Sequence, residues 1–442
     1  MNLKSTWLQT AFWCVWTAVI PLYGGAQIKT DPIQEATLEK VVAYALENQP
    51  ALRQAEVNQT IVEKTIKGRL ADWYPQINFT YNYQRFIELQ SSVIGGQVIR
   101  FGVDNTSSAQ LNATQNLFNR DVLLASNTAS TVRMQAEQST TKTKIATVVD
   151  VTKAYYDVLA TQQQIEVSQE SVVRLERSLK DARSRYESGV SDKTDFQRAT
   201  IALSNAKTAL KSNEELLEYK KKNLKTLMGY PLEQDLPLVY EVSEMEQRIV
   251  LDTASGVSPD NHIDYKILKT QQHLQDANVK YSQWAFVPTV NLFGTYTFNY
   301  QNDQLSELYS TRYPYSYVGV SVGLPIFQGG KRVAKVQEQK WTRTQLDVQM
   351  EDLTKRLNTE YERTLAVYKS NLFNYQAQKE NVELAQEVYD LINLQYKSGV
   401  KTYLDVTIAE TDLRTTRINY FNALYQVLAS KIDVERALGT IN

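Results

Sequence analysis

Cysteine is almost missing from this chain of 442 residues: the one present, Cys14, lies in an apolar N-terminal run. A mature form without that run has no disulfide, so packing and assembly must hold it together. Glycine and proline are scarce too, at 16 and 10. Because these residues mark most turns and helix ends, their scarcity implies long uninterrupted elements. Excess charge is absent, with 48 Lys and Arg against 49 Asp and Glu. The basic residues are scattered along helical stretches, which argues against a nucleic-acid partner. Histidine is reduced to His262 and His273. Neither is spaced with Cys or carboxylates as a metal site needs, so no metal is expected and both read as solvated. No nucleophile and base stand together, so neither an enzyme nor a cofactor is expected.

What the chain does have is tyrosine, 27 against 12 phenylalanines. Rings with one wet end suit interfaces, including the boundary between membrane and water. Lys4, the apolar run from Trp7 to Leu22 and the small residues Gly24, Gly25 and Ala26 read as a secretory signal peptide over residues 1–26. A membrane anchor is disfavoured, since the run is short and broken by Gln9 and Pro21. Phe12 and Trp13 precede Cys14 where a lipoprotein site needs small residues, so no lipid is expected on it.

The mature chain is a tandem duplication. Tyr186 to Asp195 reads YESGVSDKTD and Tyr396 to Asp405 reads YKSGVKTYLD. Subtracting 186 from 396 gives 210, and the same offset joins Gly189 with Gly399, Leu203 with Leu413 and Gly229 with Gly439. The first repeat spans 27–229: a helix over 37–72, strands over about 76–88 and 108–118, a long helix over 121–188 and a return helix over 192–228. A connector covers 230–260. The second repeat, 261–442, has a helix over 262–284, strands over about 288–300 and 315–325, a long helix over 331–398 and a return helix over 402–438. The strands are read from period-2 runs such as Ile77, Phe79, Tyr81 and Tyr83 against Asn78, Thr80 and Asn82, with a Gly, Ser and Asn-rich loop over about 90–107. Seven-residue recurrence marks the long helices, as Val151, Val158, Ile165, Val172 and Leu179 in one and Tyr361, Tyr368, Tyr375, Val382 and Tyr389 in the other. The tyrosine stripe reads as packing rather than a rail for cargo. The charged run Glu214 to Lys225 reads as a solvated face.

Four strands of barrel-spanning length with one apolar face cannot close a barrel, and lipid tolerates no open edge. The barrel must be shared, and three copies supply twelve strands. Helices of about 100 Å have no private core, so their seams leave water only by lateral association. Two half-length helices are expected to stack end to end beside each long one, putting the turns at Gly189 and Gly399 at the end far from the membrane.

The motifs RYESGV, TDFQRA, QYKSGVKTYLDV and VGLPIFQGGKR, at these spacings, resemble the TolC-like outer-membrane efflux proteins over nearly the whole mature chain. The resemblance implies a mostly α chain with membrane β: a homotrimer whose α-helical barrel crosses the periplasm and continues into a shared 12-stranded outer-membrane β-barrel, four strands per protomer. It implies a passive exit duct of a tripartite efflux or type I secretion system, working with a periplasmic adaptor and an inner-membrane pump in contact with outer-membrane lipid. It also implies site residues. Gly189, Val190, Gly399 and Val400 at the tips become adaptor contacts. Tyr396 should pair with Asp195, Lys401 should reach backbone or hydroxyl near Thr194, and three Asp405 carboxylates should ring the axis and raise one another's pKa. Ile408 stands where a second acidic tier would be. The plainer reading has Asp195 and Asp405 capping the helices that start there. The alternative for the whole chain is a periplasmic coiled-coil adaptor or structural protein of an export complex. Period-2 strands with Tyr-rich apolar faces speak against it.

Overall fold

The computed structural model describes residues 33–251, 256 and 258–441. The expected signal peptide and Cys14 lie outside them. Two long helices dominate, α3 (Arg120–Glu187) and α7 (Lys331–Lys397), each followed by a 36-residue return helix, α4 (Lys193–Met228) and α8 (Tyr403–Leu438). Shorter helices precede the strands: α1 (Leu38–Asn48), α2 (Pro50–Ala71) and α6 (Ile263–Gln283), while α5 (Val242–Gln247) sits in the connector. The strands are β1 (Gln76–Arg85), β2 (Ser91–Ile94), β3 (Gln97–Arg100), β4 (Asn105–Phe118), β5 (Thr289–Asn302) and β6 (Tyr315–Gly323).

Three expectations are corrected here. The helix expected over 37–72 is two helices, because Gln49 leaves helical geometry ahead of Pro50 and its side chain caps α2 at Leu52 N. The supposed loop over 90–107 contains the hairpin β2–β3, turned by Gly95 and Gly96 with φ of 63° and 87°. Pro50 also matters to stacking. The end of α4 meets the α1–α2 break, where Gly229 lies against Asn48 and Gln49, so α2 alone continues the line of α4. Gly439 meets Asn261 and His262 in the same way, and α6 continues α8. A third correction concerns the charged run, since Lys220 and Lys225 turn inward, Lys220 to Asp157 at 2.8 Å and Lys225 to the Leu232 carbonyl at 3.1 Å.

Lateral order is the same in helices and sheet. Helices α2, α3, α6 and α7 pack in that sequence, and the antiparallel sheet runs β1-β4-β5-β6. Register places Phe79 beside Leu111 and Tyr296 on one face, and Thr80 beside Gln110 and Thr297 on the other. The burial is the reverse of a soluble sheet. Thr295 and Thr297 of the polar face are buried, whereas Ile77, Phe79, Val318 and Val320 of the apolar face are exposed. The main core lies midway along the helices, where Tyr155, Leu159, Leu224, Met228, Tyr368 and Leu424 gather under the connector. Smaller clusters follow α3 and α8 toward the turns at Gly189 and Gly399. Among the described residues no helix is long and apolar enough to cross a membrane.

Candidate functional site

At the far end of the rods, α3 turns into α4 and α7 into α8 by the same device. Gly189, with φ 73°, sends its N–H to the Tyr186 carbonyl while Val190 N–H reaches Arg185. Gly399, with φ 82°, and Val400 repeat the pair onto Tyr396 and Gln395. These are Schellman turns, and the left-handed glycine is what permits them. Both leave a valine outside, Val190 at 71% and Val400 at 73% exposure.

The plainer reading holds for Asp405, which takes part in the cap of its helix, and not for Asp195, whose helix is capped by another residue. Asp192 caps α4, accepting from Thr194 N–H at 3.2 Å, and Asp195 stands in the first turn. Thr402 caps α8, and Asp405 completes a capping box by accepting from Thr402 N–H at 2.9 Å and its hydroxyl at 2.8 Å. These bonds, with Lys401 nearby, hold the Asp405 carboxyl below the usual range within the chain, opposite to the direction expected of a ring.

The expected latch contacts are not made within one chain. Tyr396 makes ring contacts, with the Arg185 guanidinium 4.6 Å from its centroid and Tyr403 at 6.0 Å, and no hydrogen bond joins it to Asp195. Burial pushes its pKa up, Arg185 opposes this, and the Asp195 charge adds to it. Thr194 and Lys401 are exposed, and among the described residues the Lys401 ammonium makes no hydrogen bond or salt bridge, though its charge acts on Asp405. The geometry does bring together residues that the sequence reading missed. Tyr403, fully buried, inserts from α8 between Ala182 and Ala199 of the first repeat. Further up, Glu410 on α8 is only 3% exposed; it accepts from the Ser171 hydroxyl at 2.6 Å and from Arg174 at 3.3 Å. Arg417 pairs with Glu170, whose carboxyl it holds below the usual range. Gln164–Asn422 and Lys153–Asp433, each at 2.6 Å, continue this line up α3 and α8. A chain of polar links thus ties the second repeat's return helix to the first repeat's long helix.

A family model for outer membrane efflux proteins matches residues 41–230 and 266–440. The chain belongs to the outer membrane efflux protein family. Its place is the outer membrane and its task is efflux. Among its relatives, the probable efflux pump outer membrane protein TtgC of Pseudomonas putida is 24% identical, covering 94% of this chain and 84% of that one. Outer membrane protein TolC of Vibrio cholerae is 20% identical, covering 96% of both. In fold, the chain is similar to a CusC crystal structure, with a TM-score of 0.76 at 18% identity over 93% of this chain and 95% of that one. The outer membrane channel CmeC of Campylobacter jejuni gives 0.76 at 17% over 91% and 85%. The open state of the MtrE channel of Neisseria gonorrhoeae gives 0.70 at 20% over 91% and 88%. Among the described residues no cluster of His, Cys, Asp and Glu could hold a metal ion.

Proposed function

We propose that three copies of this chain form one duct, with twelve strands closing a barrel in the outer membrane and twelve stacked rods enclosing a tunnel below it. The observation that carries this is the inverted sheet: an exposed apolar face between two unpaired edges, β1 and β6, is stable only in lipid and only when both edges are met. The edges differ, so copies join head to tail and a ring closes. The tip turns then face the periplasm, where Gly189, Val190, Gly399 and Val400 offer a periplasmic adaptor paired apolar knobs. An inner-membrane pump loads the assembly, and the duct itself does no chemistry.

The tip is also the gate. Opening requires α7 and α8 to move away from α3 and α4, so Tyr396 over Arg185, Tyr403 in its socket and the Glu410 and Glu170 pairs oppose it. Lys401, with no hydrogen bond or salt bridge among the described residues, is free to meet Thr194 or Asp195 of a neighbour, and the Asp405 carboxylates ring the opening. Single-channel conductance of the purified protein in planar bilayers tests the assignment. Tyr396→Phe with Lys401→Ser is expected to raise the resting conductance, and more so with Glu410→Gln added. A resting conductance unchanged in both variants removes these residues from the gate. Protein that inserts but never conducts removes the duct.

A further inference from the structure

Where the sheet gives way to the helices, a cavity of about 660 Å³ is walled by Arg120, Lys331, Arg332 and Lys335, with no carboxylate in its lining. The neutralising partners of these cations are few. Arg332 donates to the carbonyls of Ala285 at 3.3 Å and Ile326 at 3.1 Å, and Arg120 lies 4.7 Å over the Tyr281 ring. Only Lys335 has an acid, Glu338 at 2.6 Å. Lys331 is exposed and has no partner among the described residues. Asp121, the acid next to Arg120, is taken by the Tyr281 hydroxyl at 2.5 Å.

The cavity lies on one definite side of the sheet. Thr289 and Gly323, which line it, are a cross-strand pair. Alternation puts them on the face of Asn291 and Ser321, the polar one. Val290 and Val322, the pair next along on the apolar face, are not in its wall. The cations therefore collect opposite the membrane-facing band, just below the barrel.

We propose that this cavity is an anion-binding vestibule, taking the phosphate, carboxylate or sulfonate group of a solute as it passes from the helical tunnel into the barrel. The proposal rests on the reading of the polar face as the duct wall. Uncompensated cations on a confined polar wall raise the local concentration of anions, and rings of Arg and Lys are how anion pores are lined. Three copies place the same group around the passage three times.

The test uses inorganic pyrophosphate on the full-length mature protein in detergent, by titration calorimetry, and the same anion as a blocker in planar bilayers. Wild-type protein is expected to bind it and to weaken with added salt. Lys331→Gln should raise the dissociation constant and the half-blocking concentration on the order of threefold, Lys331→Glu by more, and Lys222→Gln, exposed on α4 far from the cavity, should change neither. Channels that conduct but are blocked equally in wild type and Lys331→Glu overturn the vestibule and leave the duct standing. Protein that never conducts removes the duct and the vestibule with it, even where pyrophosphate binding is lost in Lys331→Glu. If Lys331→Glu instead loses co-purified phosphatidylglycerol while pyrophosphate binding is unchanged, the cavity faces lipid and the proposal falls.

Discussion

Gly189 and Gly229 hold nearly the same backbone angle, φ 73° and 70°, yet they stand in opposite surroundings. A Cβ on Gly189 meets nothing within 4 Å, while one on Gly229 meets the Asn48 carbonyl oxygen at 2.5 Å. Both substitutions carry the cost of a left-handed side chain, about 1 to 2 kcal/mol. Only Gly229→Ala must also push the two stacked helices apart. It should cost about 3 kcal/mol or more, and Gly189→Ala about 1 kcal/mol, read from the loss of helical circular dichroism on heating. Equal shifts would mean that α4 and α2 do not stack through this contact. The two glycines were legible as helix ends in the sequence, since a turn needs only its own residues. The contacts that distinguish them were not. The same holds for the tip, where Gly189 and Gly399 announce themselves by repetition, whereas Glu410 meets Arg174 across 236 residues of chain. Nothing local to Glu410 marks it as buried, because its partner is supplied by the other repeat.

At the level of elements, the second stacking point is held by a histidine. His262, expected to be solvated, is buried at the start of α6, where its Nδ1 accepts from Asp264 N–H at 3.2 Å. Burial lowers its pKa, with the Asp264 charge opposing in part and Arg436 and Lys142 adding to the fall. The folded chain therefore takes up this proton less readily than the unfolded chain. The stability His262 contributes is complete above the ordinary histidine value of about 6.5 and falls as pH drops through it, since the protonated ring cannot accept. Melting at pH 7.5 and 5.5 should differ by an amount set by about 1 kcal/mol, and His262→Asn should keep the cap and lose this difference. An undiminished pH effect in His262→Asn places the titration elsewhere. The long helices were legible because a seven-residue repeat survives over many turns. Their tyrosines pack as read, but they do more. The Tyr368 hydroxyl bonds the Ile249 carbonyl at 2.9 Å, and Tyr375 and Tyr420 bond Glu246 at 2.7 and 2.6 Å, strapping the connector across the rods. Burial alone would raise the Glu246 pKa, yet hydrogen bonds from Tyr420, Lys379 and Tyr375 leave it lowered. The elements that escaped notice were short ones. Pro50 breaks a helix whose apolar period continues on both sides, and Ile94-Gly95-Gly96-Gln97 is a two-residue hairpin turn inside a stretch whose composition resembles a loop.

For the whole molecule, what matters is the unfinished edge. On the β1 side the exposed side chains Val57 and Ile61 stand on α2, and on the β6 side Val333, Trp341 and Val348 stand on α7. Ile61 precedes the end of α2 at Ala71 by ten residues, and Trp341 follows the start of α7 at Lys331 by ten. At 1.5 Å per residue each lies about 15 Å from the end of its helix nearer the sheet, so a neighbour carrying α2 beside α7 brings them to about one level. Covering a side chain of this size contributes about 1.5 to 3 kcal/mol, and five such groups repeat at every joint. On the proposed trimer, a rigid ring follows from a protomer that is incomplete alone. The mature chain expected from the sequence has no cysteine, which makes the joint testable. Ile61→Cys combined with Trp341→Cys, treated in outer membranes with a short bis-maleimide, should give a ladder of one, two and three chains and no more, while either substitution alone gives single chains only. A ladder running past three would replace the trimer with a larger ring or a filament. No ladder at all, from protein that still folds and inserts, would mean that α2 and α7 are not the surfaces through which copies meet, and the twelve-stranded closure argued from β1 and β6 would fall with them.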